Sequence, residues 1–327
     1  MDFEFILNIF LTVLSLLMLM IPCFILAKAK LIGKGAEESL STIVLFVCQP
    51  LMLFMSFQKT SFSPDILLNM LIVFLLALAV HGIMITLVFL LIRGDDKKKR
   101  CLRFTSVFSN CGYMGIPFLQ LLYGENGEML IYAGIVIGVF NLLAWTTGAV
   151  MFTGDKKQAS VKKAALNPNI LALVLGVLLF VILKRPISDL ADQGGFLDGF
   201  LERLSRVMTF FADMVTPLSM SVIGIKLSKT PIKRLVTDKT AYLSVFMKLI
   251  VMSFIALLTV AFLPIDINVK RVVFFTFSMP SATMAVLFAV SFEGDTESAT
   301  ANVLLSTILT IVSVPIMYML FSLICIR

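Results

Sequence analysis

The chain has 327 residues, of which 59% are hydrophobic and only 14% charged, with a mean hydropathy of +1.01. A soluble fold of this size has no interior large enough for so much apolar surface, so the solvent around much of it must be lipid. The net charge of +7 sits in short loops between apolar stretches, a pattern of membrane topology that argues against nucleic acid as a partner.

Ten apolar segments follow in chain order, each close to the ~20 residues that a bilayer core requires. They cover residues 4–27, 39–58, 65–92, 102–122, 129–152, 168–184, 206–226, 240–263, 271–291 and 299–325. The first follows Asp2 and Glu4 and lacks a basic leader or small-residue cleavage site, so a retained helix is expected rather than a removable signal. Residues 186–205 read as a surface loop leading into an interfacial helical turn, with Gly194-Gly195 followed by Phe196, Leu197, Phe200, Leu201 and Leu204. Loops after the odd-numbered spans hold most of the basic residues, including Lys28, Lys30 and Lys34, then Lys97-Lys98-Lys99-Arg100, then Lys156, Lys157, Lys162 and Lys163. The basic side is expected to be cytoplasmic, which puts both termini outside the cell membrane.

The chain also repeats itself. Lys59-x-Ser61-x-x-Pro64 recurs as Lys226-x-Ser228-x-x-Pro231, an offset of 167 residues that also carries Pro50-Leu51 onto Pro217-Leu218 and His81 onto Lys248. With two inserted residues allowed, Arg103 falls on Arg271, Ser109 on Ser278 and Tyr123 on Phe292. Five spans per half is an odd number, so the second half enters the membrane from the opposite face. The expected fold is an all-α polytopic membrane protein whose ten transmembrane helices form a 5+5 inverted repeat, with residues 1–153 and 168–327 as the halves and 154–167 as a cytoplasmic linker.

Spans four and nine should be broken. Span four contains Asn110-Cys111-Gly112-Tyr113-Met114-Gly115-Ile116-Pro117, and span nine contains Ser278-Met279-Pro280-Ser281-Ala282-Thr283 at the repeat-related place. Proline removes a backbone hydrogen bond and glycine weakens the helix, and such breaks survive at membrane depth only where they line a cavity or are buried in protein. The second half of a broken helix exposes N–H groups whose partial positive charge suits an anion. Asn110, Cys111, Gly112, Tyr113, Gly115, Pro117, Pro280, Ser281 and Thr283 are therefore the expected substrate-binding residues.

These motifs, with Asn167-Pro168 and Thr216-Pro217-Leu218-Ser219-Met220 with Gly224, resemble the auxin efflux carrier family, the relatives of plant PIN proteins, over nearly the whole chain. The resemblance implies crossing helices four and nine, a scaffold of helices one, two, six and seven, and a mobile transport domain of helices three to five and eight to ten. It implies small organic anions as substrates, such as malate, malonate or an auxin-like acid, and a homodimer by analogy. The chain differs from that pattern in its short 154–167 connection and in Met279, where an asparagine opposite Asn110 would be expected.

Three ionisable residues lie inside predicted spans: His81, Asp213 and Lys248. Each has a functional reading in coupling or charge balance. Each also has a structural one: His81 as a core histidine bonded to a carbonyl, Lys248 reaching toward the interface, and Asp213 capping the helix near Pro217. One histidine and five scattered cysteines without paired spacing leave no metal site, disulfide frame or cofactor to expect. No hydrolase, zinc-protease or nucleotide-binding motif occurs, so an enzyme is not expected. The reading is a secondary active carrier for a small organic anion, working by elevator-like alternating access with proton or sodium coupling. The alternatives are a sodium-coupled symporter or sodium/proton exchanger of related plan, and a non-transporting membrane receptor or scaffold.

Overall fold

The computed structural model describes residues 3–124, 126–184, 195–230 and 238–326. In chain order the helices are α1 (Phe3–Lys28), α2 (Ala36–Gln58), α3 (Pro64–Leu91), α4 (Lys97–Val107), α5 (111–123), α6 (Gly127–Thr153) and α7 (Pro168–Leu183). They continue with α8 (Phe196–Asp213), α9 (Val215–Lys229), α10 (Lys239–Ala261), α11 (Ile267–Ser278), α12 (Met284–Ser291) and α13 (Thr296–Cys325).

Short polar side chains set the helix starts by accepting backbone N–H groups that have no partner within the helix. Ser63 accepts from Asp65 N (3.2 Å) before α3, Asp96 from Lys99 N (3.0 Å) before α4, and Asn126 from Met129 N (3.3 Å) before α6. Asn167, Asp266 and Asp295 do the same for α7, α11 and α13. Along α3 almost every residue is apolar, so hydropathy does not tell inside from outside; packing does. On α3, Val73, Ala77, Val80 and Met84 recur at three- and four-residue steps and are buried, while Leu68, Leu71 and Leu75 are exposed on the lipid-facing side.

Among the described residues seven helices are long and apolar enough to cross a membrane, or eight if the bent pair Lys156–Ala165 and Pro168–Leu183 counts as one span. Predicted spans four and nine are each divided into two shorter helices, α4 with α5 and α11 with α12. A helix of 12 residues, such as α11, extends only ~18 Å against a ~30 Å hydrocarbon core. The number of crossings thus depends on each broken pair acting together.

Two packing groups stand out. α1 lies along α9, and α2 packs on α7, α8 and α9. Gly224 permits the close approach of α9, since a Cβ there would collide with the carbonyl of Met20 on α1. The second group joins α3 to α6, α4 to α6, α10 to α11, and α10 to α13. Residues 186–194 of the predicted surface loop lie outside the described residues. From Phe196 onward the chain is not a brief turn but an 18-residue helix that continues, after a break at Met214, into α9. Its apolar positions Phe196, Phe200, Leu204 and Val207 recur at three- and four-residue steps, which is enough to sustain a full helix at an apolar surface.

Candidate functional site

The two helix breaks meet. Asn110 N–H donates to the carbonyl of Pro280 and Ala282 N–H donates to that of Phe108, both at 2.8 Å, so Ser109 and Ser281 face each other in a single antiparallel bridge. This pairing satisfies backbone groups that lipid would leave bare at a cost of several kcal/mol each. The serine hydroxyls extend it: Ser109 Oγ donates to Thr276 O (2.7 Å) and Ser281 Oγ to Thr105 O (2.8 Å). Ser281 N–H in turn donates to Ser306 Oγ on α13 (3.0 Å). Ser109 and Ser281 are thus partners across the crossing, the second lying three residues beyond Ser278, with Met279-Pro280 between that helix end and the bridge.

Behind the crossing, Lys248 is fully buried and donates to Phe277 O (2.8 Å) at the C-terminal end of α11. A cation at that end is favoured by the helix dipole. Of the two readings of Lys248, the one in which it reaches toward the interface does not hold, because its ammonium finds this carbonyl inside the bundle. It projects from a wider, π-type turn, Phe246–Met252, that interrupts α10. His81 is buried; its Nδ1 bonds Ala77 O (2.8 Å) and its ring meets that of Phe277 edge-on at 4.9 Å. Its Nε2 has no partner among the described residues.

In front of the crossing lies a cavity of about 420 Å³. Asn110, Gly112 and Tyr113 line it at the start of α5, and Ala282, Thr283 and Met284 line it at the start of α12. Both second half-helices thus present their N-terminal ends to one space. Such ends carry unpaired N–H groups and about half a positive charge each. In α5 the N–H groups of Met114 and Gly115 both turn back to Asn110 O (3.1 Å). Asn110 itself is 3% exposed, and its Nδ2 has no partner among the described residues. Opposite stand Gln49 of α2, Asn141 of α6, and Asn167 and Asn169 at the start of α7. Gln49 lies against Gly112, where any Cβ would strike its amide. Glu37, Glu38 and Lys226 line the end of the cavity that faces the lysine-rich loops, where Glu37 pairs with Lys226 (3.4 Å) and Lys229 (3.1 Å).

Of the residues singled out in the sequence, Asn110, Gly112, Tyr113 and Thr283 line this cavity. Cys111, Gly115, Pro117, Pro280 and Ser281 do not: Gly115 packs toward Met279, and the hydroxyl of Ser281 is engaged in the crossing. His81 and Lys248 stand behind the crossing, and Asp213 is exposed at the break between α8 and α9. Gln49, Asn141, Asn167 and Asn169 also line the cavity and were not among the expected substrate-binding residues; their sequence signals were the Asn-Pro-Asn run at a helix start, Gln49 before Pro50, and Asn141 as an amide inside an apolar span that could equally bridge helices.

The family profile described as membrane transport protein matches residues 8–163 and 156–318. An uncharacterized transporter of Methanothermobacter thermautotrophicus is 23% identical over 314 residues, covering 93% of this chain and 96% of its own length. An uncharacterized transporter of Methanocaldococcus jannaschii is 24% identical over 294 residues, covering 85% of this chain and 89% of its own. With the profile matched across most of the chain, over a bundle of membrane-length apolar helices, the protein belongs to the membrane transport protein family, that of the auxin efflux carriers.

Proposed function

We propose that this multi-pass membrane transporter is a secondary active carrier for a small organic anion, working by elevator-like alternating access. One observation carries the reading. The N-terminal ends of α5 and α12 line one cavity beside the crossing, with Asn110 in its wall, a place where backbone N–H groups would hold a carboxylate. In this reading α1, α2 and α7–α9 are the scaffold and α3–α6 with α10–α13 the moving domain. Each broken pair counts as one crossing, which gives ten crossings in two inverted halves. The packing of α1 along α9 and of α2 on α7, α8 and α9 supports the scaffold group, which touches the other group mainly through α1 on α13 and α2 on α6. The basic-loop rule puts the cavity mouth on the cytoplasmic side of the cell membrane and both termini outside, so the conformation is inward-facing.

The test is uptake into proteoliposomes of labelled malate, malonate and an aromatic monocarboxylate, with imposed proton and sodium gradients. Flux of at least one acid, abolished by collapsing one gradient, is expected and names the coupling ion. A reconstituted protein that moves no acid of the panel under any gradient would sink the carrier reading.

A further inference from the structure

At the end of the cavity that faces the lysine-rich loops, one carboxylate is shared by two ammonium groups. Glu37 Oε1 stands 3.4 Å from Lys226 Nζ, and Glu37 Oε2 stands 3.1 Å from Lys229 Nζ. Glu37 lies in the first turn of α2 and both lysines in the last turn of α9, where each charge also complements its helix dipole. The pairing therefore ties α2 to α9. That tie does not account for where the three side chains stand.

Glu37 and Lys226 line the cavity whereas Lys229 does not, and Lys226 is the one basic residue in the wall. With Glu38 in the same wall, Lys226 is also the only full charge there that attracts an anion. Its side chain is 11% exposed against 56% for Lys229, so the lysine of the cavity is the better shielded from water and salt. An ammonium carries three N–H donors, and among the described residues Lys226 has this single long contact. Glu37 keeps the shorter contact, to Lys229, through its other oxygen, so it can release Lys226 and remain neutralised. The arrangement is a cation covered by a tethered carboxylate that has a second partner beside it.

We propose that Lys226 is an entry site for the carboxylate of the substrate, with Glu37 as its built-in competitor. An arriving acid takes Lys226 in exchange for Glu37, which falls back on Lys229, before the acid passes to the ends of α5 and α12. The ligand class is carboxylates in general, since a lone ammonium reads charge and not shape. This rests on the organic-anion reading above and adds an entry step to it.

Uptake of labelled malate, malonate and an aromatic monocarboxylate into inside-out membrane vesicles bearing the full-length carrier gives KM and maximal rate for each variant. Lys226→Gln should raise KM about ten-fold, the value of a hydrogen bond to a charged group, while the maximal rate per folded carrier stays within about two-fold of the parent. Glu37→Gln should lower KM about three-fold, and should leave KM unchanged in the Lys226→Gln carrier. Lys229→Gln should raise KM, because Glu37 then has only Lys226, and adding Glu37→Gln should return it to the parent value or below. A purely structural pair would instead lower the amount of folded carrier in both single variants and leave KM alone. A diffuse field would let Glu37→Gln lower KM equally with and without Lys226. Either result overturns the proposal. If Lys226→Gln does not fold, Glu37→Gln still decides, since a KM no lower than the parent's rules out a competing carboxylate. If the parent takes up no acid of the panel, the organic-anion reading fails and takes this proposal with it; uptake by the parent with KM unshifted in the variants defeats this proposal alone.

Discussion

Ser109 and Ser281 cap each other's half of the crossing: each hydroxyl donates to a carbonyl at the end of the helix that precedes the other serine's break, Thr276 O at 2.7 Å and Thr105 O at 2.8 Å. Both residues are buried, so removing either hydroxyl strands a helix-end carbonyl. Ser109→Ala and Ser281→Ala should each cost ~1–3 kcal/mol, read as a lower melting temperature in detergent. The two share one bridge, so the double variant should depart from additivity by ~0.5 kcal/mol or more. Strict additivity would show that the bridge is not one unit.

Asn110 should behave in the opposite way. Its Nδ2 has no partner to lose among the described residues, so Asn110→Ala should leave the melting temperature nearly unchanged. Substrate affinity should fall by roughly ten- to a hundred-fold, the value of a donor to a carboxylate. A titration showing unchanged affinity would remove Asn110 from the site.

His81 is a candidate coupling group by residue type, but its ring lies behind the crossing, with Nδ1 bonded to Ala77 O and no place in the cavity wall. His81→Gln retains an amide donor of similar reach. The pH profile of its uptake should therefore overlay that of the parent. A flattened profile would instead assign proton coupling to this histidine.

Two glycines separate packing from propensity. A Cβ at Gly224 would meet the Met20 carbonyl, whereas nothing lies within 4 Å of one at Gly82. Gly224→Ala should destabilise by ~1–3 kcal/mol through forced separation of α1 and α9. Gly82→Ala on α3 should be neutral or stabilising, by up to ~1 kcal/mol of helix propensity. Equal melting temperatures for the two would argue against the close approach at Gly224.

Outside the membrane, Arg100 donates to Asp95 (Nε to Oδ1, 2.9 Å) and to the carbonyl of Thr153, tying the loop after α3 to the end of α6. The hydrogen bonds from Arg100 hold the Asp95 carboxyl below its usual range. A depressed folded-state value stabilises above the unfolded pKa of ~3.9, and that contribution is lost as pH falls through the folded value. Asp95 is largely solvent-exposed, so Asp95→Asn should cost no more than ~0.5 kcal/mol at pH 7 and 0.1 M salt. The difference should vanish near pH 2 or in 1 M salt, as followed by thermal melts.

Hydropathy and punctuation determined much of this protein before any packing was known. Runs of about twenty apolar residues specify membrane helices because lipid leaves a backbone no other partner than itself. Pro280 lies within the second break, whereas the first opens at residues 108–110 and the Gly112-to-Pro117 segment is helical, beginning as a wider π-type turn; Asn110 was legible as a polar residue at that break. Tertiary structure decided what those breaks do. Ser109 pairs with Ser281, a contact that the repeat offset does not specify because it relates equivalent positions and not neighbours. Lys248 turned inward to Phe277 O, because a buried helix end offered its ammonium a carbonyl that the local sequence does not disclose. Gln49, Asn141, Asn167 and Asn169 come from three separate helices, and isolated amides in apolar runs look alike whether they bridge helices or line a cavity. Only packing brings them opposite Asn110, since the distances that make a site arise between helices, where one-dimensional periodicity carries no information.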